Sequence, residues 1–192
     1  MNRRRAIGRI ILATLGGGLA FSGYEWYRYE GPPDYAFADR HDDLITALAD
    51  AIIPHTADSP GALEAGVTPF ILKMVRECMT RPTANNFIRG LKDIDDWCIQ
   101  KYNNPFQHCR DNEKSAALAH FEEKDRLLKG IGGKIQRKLL GDPFFLSIKR
   151  CTAIAYCTSE TGATKGLAYV LVPGSYHGCI PFSPGQKAWA TF

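Results

Sequence analysis

Between residues 40 and 158, apolar side chains return every three or four positions, and hardly any stretch alternates at every second one. A chain with that period buries its apolar surface as packed helices and has little with which to build a sheet. The clearest stretch covers about 40–53. Leu44, Leu48 and Ile52 form one row, Ile45, Ala49 and Ile53 the next, and Asp42 and Asp43 sit in the first turn, where the helix dipole favours them. Pro54 ends it. Thr68-Pro69 reads as an N-cap followed by proline at the first helical position, opening a helix that buries Ile71, Met74, Val75 and Cys78. A third helix is expected from near Thr83 to Tyr102, with Phe87, Leu91, Ile94 and Cys98 on one side and Asn103-Asn104-Pro105 as its break. Residues 113–129, carrying Leu118, Phe121, Leu127 and Leu128, form another, and Asp142-Pro143 opens the last. The face of that last helix is Phe144, Phe145, Ile148, Cys151, Thr152 and Ala155; only Tyr169-Val170-Leu171-Val172 could pair as a strand. The expected fold is all-α: a single domain of about five helices over 39–172.

Both ends differ from this body. Residues 1–22 open with Arg3, Arg4 and Arg5, add Arg9, and continue as an uncharged, mostly apolar run over 10–21. A bilayer-spanning helix needs about 20 apolar residues, and glycines at 16–18 weaken helix formation further. The layout is that of a twin-arginine-type export signal, with an uncleaved anchor as the alternative. Residues 23–38 form a linker unusually rich in aromatics (Tyr24, Trp26, Tyr27, Tyr29, Tyr35, Phe37), which need a surface to cover them. Residues 173–192 mix Pro173, Pro181 and Pro184 with Gly174, Gly178 and Gly185 and carry Tyr176, His177, Cys179, Phe182 and Trp189. Such a segment cannot be a helix, yet holds too much apolar surface to float free. An extended arm, packed on the body or inserted in a partner, is expected.

Composition narrows the function classes. The net charge of +4 comes from the leader: without Arg3, Arg4, Arg5 and Arg9, four of the 24 basic residues, the chain carries 20 bases against 20 acids. That leaves no basic face of the kind nucleic acid requires. The chain holds no Gly-x-Gly-x-x-Gly, no phosphate-loop motif, no Gly-x-Ser-x-Gly and no His-Glu-x-x-His. The six cysteines (78, 98, 109, 151, 157, 179) include no Cys-x-x-Cys. In an oxidising compartment some are expected to pair, in any of fifteen connectivities. Buried thiols are the competing expectation for Cys78 and Cys151. His108–Cys109 or His177–Cys179 could be drawn as a nucleophile pair, but proximity in sequence does not align a proton transfer. Asp93, Asp95 and Asp96 read as a solvated helix face. No catalytic, cofactor or metal residue is assigned. Partner binding is assigned to Tyr176, His177, Cys179, Phe182 and Trp189 in the tail and to Pro54 and His55 in the first loop, and export to Arg3, Arg4 and Arg5.

Three stretches together resemble a known family. Leu48-Ala49-Asp50-Ala51-Ile52-Ile53-Pro54-His55-Thr56, running on through Ser59-Pro60-Gly61-Ala62 to Ala65-Gly66-Val67, is the first. Tyr156-Cys157-Thr158-Ser159-Glu160-Thr161-Gly162 is the second. The third is Pro173-Gly174-Ser175-Tyr176-His177-Gly178-Cys179-Ile180-Pro181, followed by Ala188-Trp189. They are similar to the gluconate 2-dehydrogenase subunit 3 family. The resemblance implies a non-catalytic small subunit of a periplasmic, inner-membrane-associated dehydrogenase acting on gluconate, glucose or a glycoside. It implies a large FAD-binding partner of the glucose-methanol-choline oxidoreductase type, with a multi-haem cytochrome c as a further partner and haem c or an iron–sulfur cluster elsewhere in the complex. The small subunit would stabilise the flavoprotein and carry its export signal, with membrane association through the partner or an uncleaved amino terminus. The leader departs from the family pattern in having three arginines and no Phe-Leu behind them. A stand-alone exported protein, structural or a Cys/His hydrolase, is the competing expectation.

Overall fold

The computed structural model describes residues 30–126, 137, 140–172, 174–175, 179 and 181–190. The export residues Arg3, Arg4 and Arg5 and most of the aromatic linker lie outside this set. Among the described residues six α-helices are present: α1 (Tyr35–Arg40), α2 (Asp42–Ile52), α3 (Thr68–Glu77), α4 (Arg81–Tyr102), α5 (Asp111–Arg126) and α6 (Phe144–Thr158). A 3-10 turn, Phe106–His108, follows α4, and a single π turn, Gly162–Gly166, follows α6. No strand is present among them, so the fold is all-α, as the three-to-four spacing implied.

The organising element is α6. It packs against α2, α3, α4, α5 and the π turn, and its buried residues are Phe144, Phe145, Ser147, Ile148, Cys151, Thr152, Ala155 and Tyr156. These recur at intervals of one, three and four, a face much wider than the stripe of a surface helix. Intrinsic propensity contributes little to a segment so rich in aromatic and β-branched residues; enclosure by its neighbours holds it helical. Phe144 sits edge-on to Phe87 of α4 (5.8 Å between centroids) and to Phe121 of α5 (6.1 Å). Gly90 lets α4 approach: a Cβ there would fall inside the Phe144 side chain.

An enclosed helix cannot leave its first N–H groups to water. The carboxylate that meets them comes from α5: Asp125 Oδ2 accepts from Leu146 N at 3.1 Å, and the same carboxyl accepts from Phe145 N. The expected local cap is thereby corrected. Pro143 occupies the cap position of α6, and Asp142 turns outward to Arg150 Nη1 at 3.2 Å. Thr68 is corrected likewise. It lies inside α3 behind Val67 and makes no capping bond; its hydroxyl pairs with Thr46 of α2 at 2.7 Å. The 140–142 approach is fixed to the start of α4, with Asn86 Nδ2 donating to Leu140 O and Asp142 O, and Asp142 N donating to Thr83 Oγ1.

The segment before α2 is only partly extended. Asp34 Oδ1 caps α1 by accepting from Phe37 N at 3.1 Å, and Asn85 of α4 donates to Gly31 O at 2.8 Å. Arg76 of α3 grips Asp39 through both carboxylate oxygens, at 2.9 and 2.7 Å. All six cysteines stand as thiols. Cys151 is buried as expected, but Cys78 is exposed, because the apolar stripe of α3 narrows to Ile71 and Val75.

Gly90→Ala should lower stability by about 1–3 kcal/mol, overpacking outweighing the better helix propensity of alanine. Phe144→Leu in the same chain should recover part of the loss. Urea unfolding of the single and double variants checks this, and equal stability of Gly90→Ala and wild type would refute the packing account. Burial pushes the Asp125 carboxyl above the ordinary carboxylate range, against the backbone N–H groups and Lys124 that favour its charge. Its contribution to folding is therefore fully present at acid pH and is lost as pH rises through the folded-state value. Asp125→Asn should flatten that decline, visible as a smaller difference between unfolding midpoints at acid and neutral pH.

Candidate functional site

The loop between α2 and α3 is built on short polar bonds. Ala62 N donates to Ile53 O at 2.9 Å and Thr56 N to Ser59 O at 3.0 Å, so the chain leaves α2, makes a tight excursion and returns to where it began. Pro54 and His55 ride on the exposed outside of this excursion, and His55 Nδ1 meets Glu64 Oε1 at 2.6 Å across its mouth. Both partners are well exposed, so the pair positions the imidazole more than it stabilises the fold. Pro60 and Gly61, by contrast, are buried.

They are buried because Tyr156 reaches them. This residue closes the core face of α6, and its phenol donates to Pro60 O at 2.8 Å across a buried contact spanning 96 positions. The π turn then wraps the same ring. A Cβ at Gly166 would collide with the Tyr156 hydroxyl, and Leu167 N donates to Gly162 O at 3.0 Å to close the turn. The added residue of a π turn lets the chain swing past an aromatic side chain that an α-turn would strike.

The carboxyl arm is fastened over this junction. Ala168 N donates to Ala188 O at 2.8 Å and Ala190 N to Ala168 O at 2.9 Å, a single parallel bridge between Ala168 and Trp189. The strand considered over Tyr169–Val172 does not form: only Ala168 before it makes a bridge, and Tyr169, Val170, Leu171 and Val172 are exposed. Lys187 Nζ donates to Asp58 O in the loop at 3.0 Å and to Lys165 O in the π turn at 2.6 Å. The loop, distant in sequence, forms one surface with the π turn and the described residues of the arm.

Of the assigned partner-binding residues, Pro54, His55 and Trp189 fall on this surface, and Cys179 and Phe182 are exposed along the arm. Tyr176 and His177 lie outside the described residues. Sequence reasoning passed over Tyr156, Lys187 and Lys165. Tyr156 carried a signal, being the polar-tipped residue that extends the apolar face of α6; the two lysines carried none. The surface keeps large apolar groups in water: Leu171 is 79% exposed, Val172 78%, Phe182 82% and Trp189 48%.

Among the described residues no group of three His, Cys, Asp or Glu side chains could hold a metal. Burial pushes the Cys98 thiol up to about 12 and the Cys151 thiol up to about 11, the reverse of an activated nucleophile. Cys109, which might have paired with His108, sends its thiol toward the carbonyls of Pro105 and Asn104 at 3.5 and 3.7 Å. Asp95, expected on a solvated face, instead accepts from Phe106 N at 2.9 Å. Among the described residues no helix is long and apolar enough to cross a membrane.

The family model described as Gluconate 2-dehydrogenase subunit 3 matches residues 39–174. No curated protein and no solved structure matches the chain. The matched span takes in all six helices but α1's first residues, the loop and the π turn, and it ends where the arm begins.

Tyr156→Phe should cost about 1–3 kcal/mol, since Pro60 O would remain buried without a donor. The same change should make the 54–66 loop and the arm more sensitive to limited proteolysis. A variant equal to wild type in both measurements would show that the phenol does not hold the junction.

Proposed function

The chain belongs to the gluconate 2-dehydrogenase subunit 3 family, and from that premise we propose that it is the non-catalytic small subunit of a periplasmic FAD-dependent sugar dehydrogenase. A subunit of this family goes with a partner dehydrogenase subunit. In our reading that partner is a large flavoprotein of the glucose-methanol-choline type, which holds FAD and oxidises gluconate, glucose or a glycoside. This chain stabilises the flavoprotein and, through Arg3, Arg4 and Arg5, directs both across the inner membrane by the twin-arginine route. A multi-haem cytochrome c or another redox centre of the complex would take the electrons onward.

The observation that carries the reading is the state of the arm and of the residues leading into it. The arm is tied to the body through the Lys187 ammonium and the Ala168–Trp189 bridge, yet Phe182 and Trp189 on it, and Leu171 and Val172 just before it, remain in water. A segment held in place with its apolar side chains outward suits a permanent interface, whose core is enriched in aromatic residues. An accessory role also suits the absence of catalytic motifs from the sequence.

Immunoprecipitation of the untagged chain from mildly solubilised envelopes of its native host should bring down a larger protein and the absorption bands of flavin. Leu171→Asp with Val172→Asp should reduce that recovery at least tenfold without altering the fold seen by circular dichroism. A colourless precipitate of this chain alone would sink the proposal. Arg3→Lys with Arg4→Lys should retain both subunits in the cytoplasm, and a large subunit still reaching the periplasm would show that it travels by its own signal.

A further inference from the structure

At the end of α4, Asn103 adopts the left-handed conformation (φ 57°) and the chain turns back along the helix it has just left. The bond from Phe106 N to Asp95 Oδ1 fixes the 3-10 turn against the last turns of α4. Asp95 and Cys98 stand three residues apart and share a face of that helix. Cys109 follows directly on the turn, its N donating to Phe106 O at 3.1 Å, and comes to rest beside Cys98 in the apolar core, close enough for the two side chains to influence each other, while its thiol points to the carbonyls of Pro105 and Asn104. Cys98 is fully buried and Cys109 nearly so, at 6% exposed. The other four cysteines have no such arrangement: Cys78, Cys157 and Cys179 are exposed, and Cys151 is buried with only the exposed Cys78 near it.

We infer that Cys98 and Cys109 are a disulfide-forming pair, closed by exchange with an external disulfide and stapling the 103–109 reversal to α4. The pair is one of the fifteen-fold possibilities the sequence left open, selected by Asn103, Asp95 and the turn between them. In the first step Cys109, the less buried, gives up its proton, and its sulfur bonds to one sulfur of the external disulfide, whose other sulfur leaves and is protonated to a thiol. In the second, Cys98 gives up its proton and bonds to the Cys109 sulfur, releasing the remaining external thiol. Two protein thiols are oxidised, one external disulfide is reduced to two thiols, and the exchange needs no further electron acceptor. Because burial holds both thiols protonated, the exchange proceeds when the 103–109 reversal opens, and closure afterwards shields the bond from reductants.

The test uses the full chain with oxidised glutathione as the probe, at a urea concentration below the unfolding transition but sufficient to open the reversal. After acid quenching, free thiols are blocked with N-ethylmaleimide under denaturing conditions and the digest is mapped by mass spectrometry. The peptides bearing Cys98 and Cys109 should be recovered joined, two hydrogens lighter than the separate pair. Once the urea is removed, the melting temperature should rise by roughly 5–10 °C over the reduced chain. The double variant Cys98→Ala with Cys109→Ala should show no such rise. Recovery of either cysteine alkylated, glutathionylated or joined to a different cysteine would overturn the inference. Should the double variant fail to fold, the map of the wild-type chain still decides. No partner or sugar enters the measurement, so its outcome is separate from that of the proposed subunit role.

Discussion

Burying the wide apolar face and both ends of that face of α6 imposes two requirements that the rest of the molecule meets. Its first N–H groups lose access to water, and Asp125 of α5 replaces that water with a carboxylate. Its far end brings a phenol into the interior, and the phenol takes the carbonyl of Pro60 as its acceptor. α4 comes close enough to bury Phe144 because Gly90 carries no side chain. The positions of α4, α5 and the α2–α3 loop are thus each fixed by a specific demand of one helix. The candidate interface lies at the end of α6 where the last of these demands is met.

Helices were legible wherever an apolar row ran uninterrupted for three turns, and α2, α4 and α6 lie within a residue or two of where periodicity and proline put them. What misled was local grammar. Thr68-Pro69 and Asp142-Pro143 both have the composition of a capped start, yet Thr68 bonds a hydroxyl on α2 and Asp142 pairs with Arg150. A cap supplied from another helix, as by Asp125, leaves no trace near the helix it serves. Cys78 was misplaced for a related reason: periodicity gives the direction of a face but not how far neighbours extend to cover it.

The three stretches that carry the family resemblance could each be picked out, but sequence gave no reason for them to meet. Among the described residues, Pro60 of the first meets Tyr156 of the second, Gly166 just beyond the second crowds the same ring, and Lys187, beside Ala188-Trp189, grips two backbone carbonyls. Only Tyr156 is of a type and position that pattern reading could single out. Lysine held by peptide oxygens looks, in one dimension, like any surface lysine. For the proposed subunit role this matters, since the described stretch around Lys187 and Trp189 is held by this chain's own loop and π turn.

The way that arm is fastened bears on how the protein responds to its medium. Arg76 and Asp39 form an ordinary surface pair of opposite charges, which dissolved salt weakens. Among the described residues Lys187 has no anion in its grip; its ammonium is solvated by Asp58 O and Lys165 O as a small cation would be. A peptide carbonyl carries no net charge for dissolved ions to gather around, so salt weakens its contact with an ammonium less than it weakens a pair of exposed opposite charges. The clasp of Lys187 on the loop and the π turn would therefore hold through a rise in salt that loosens the surface ion pairs.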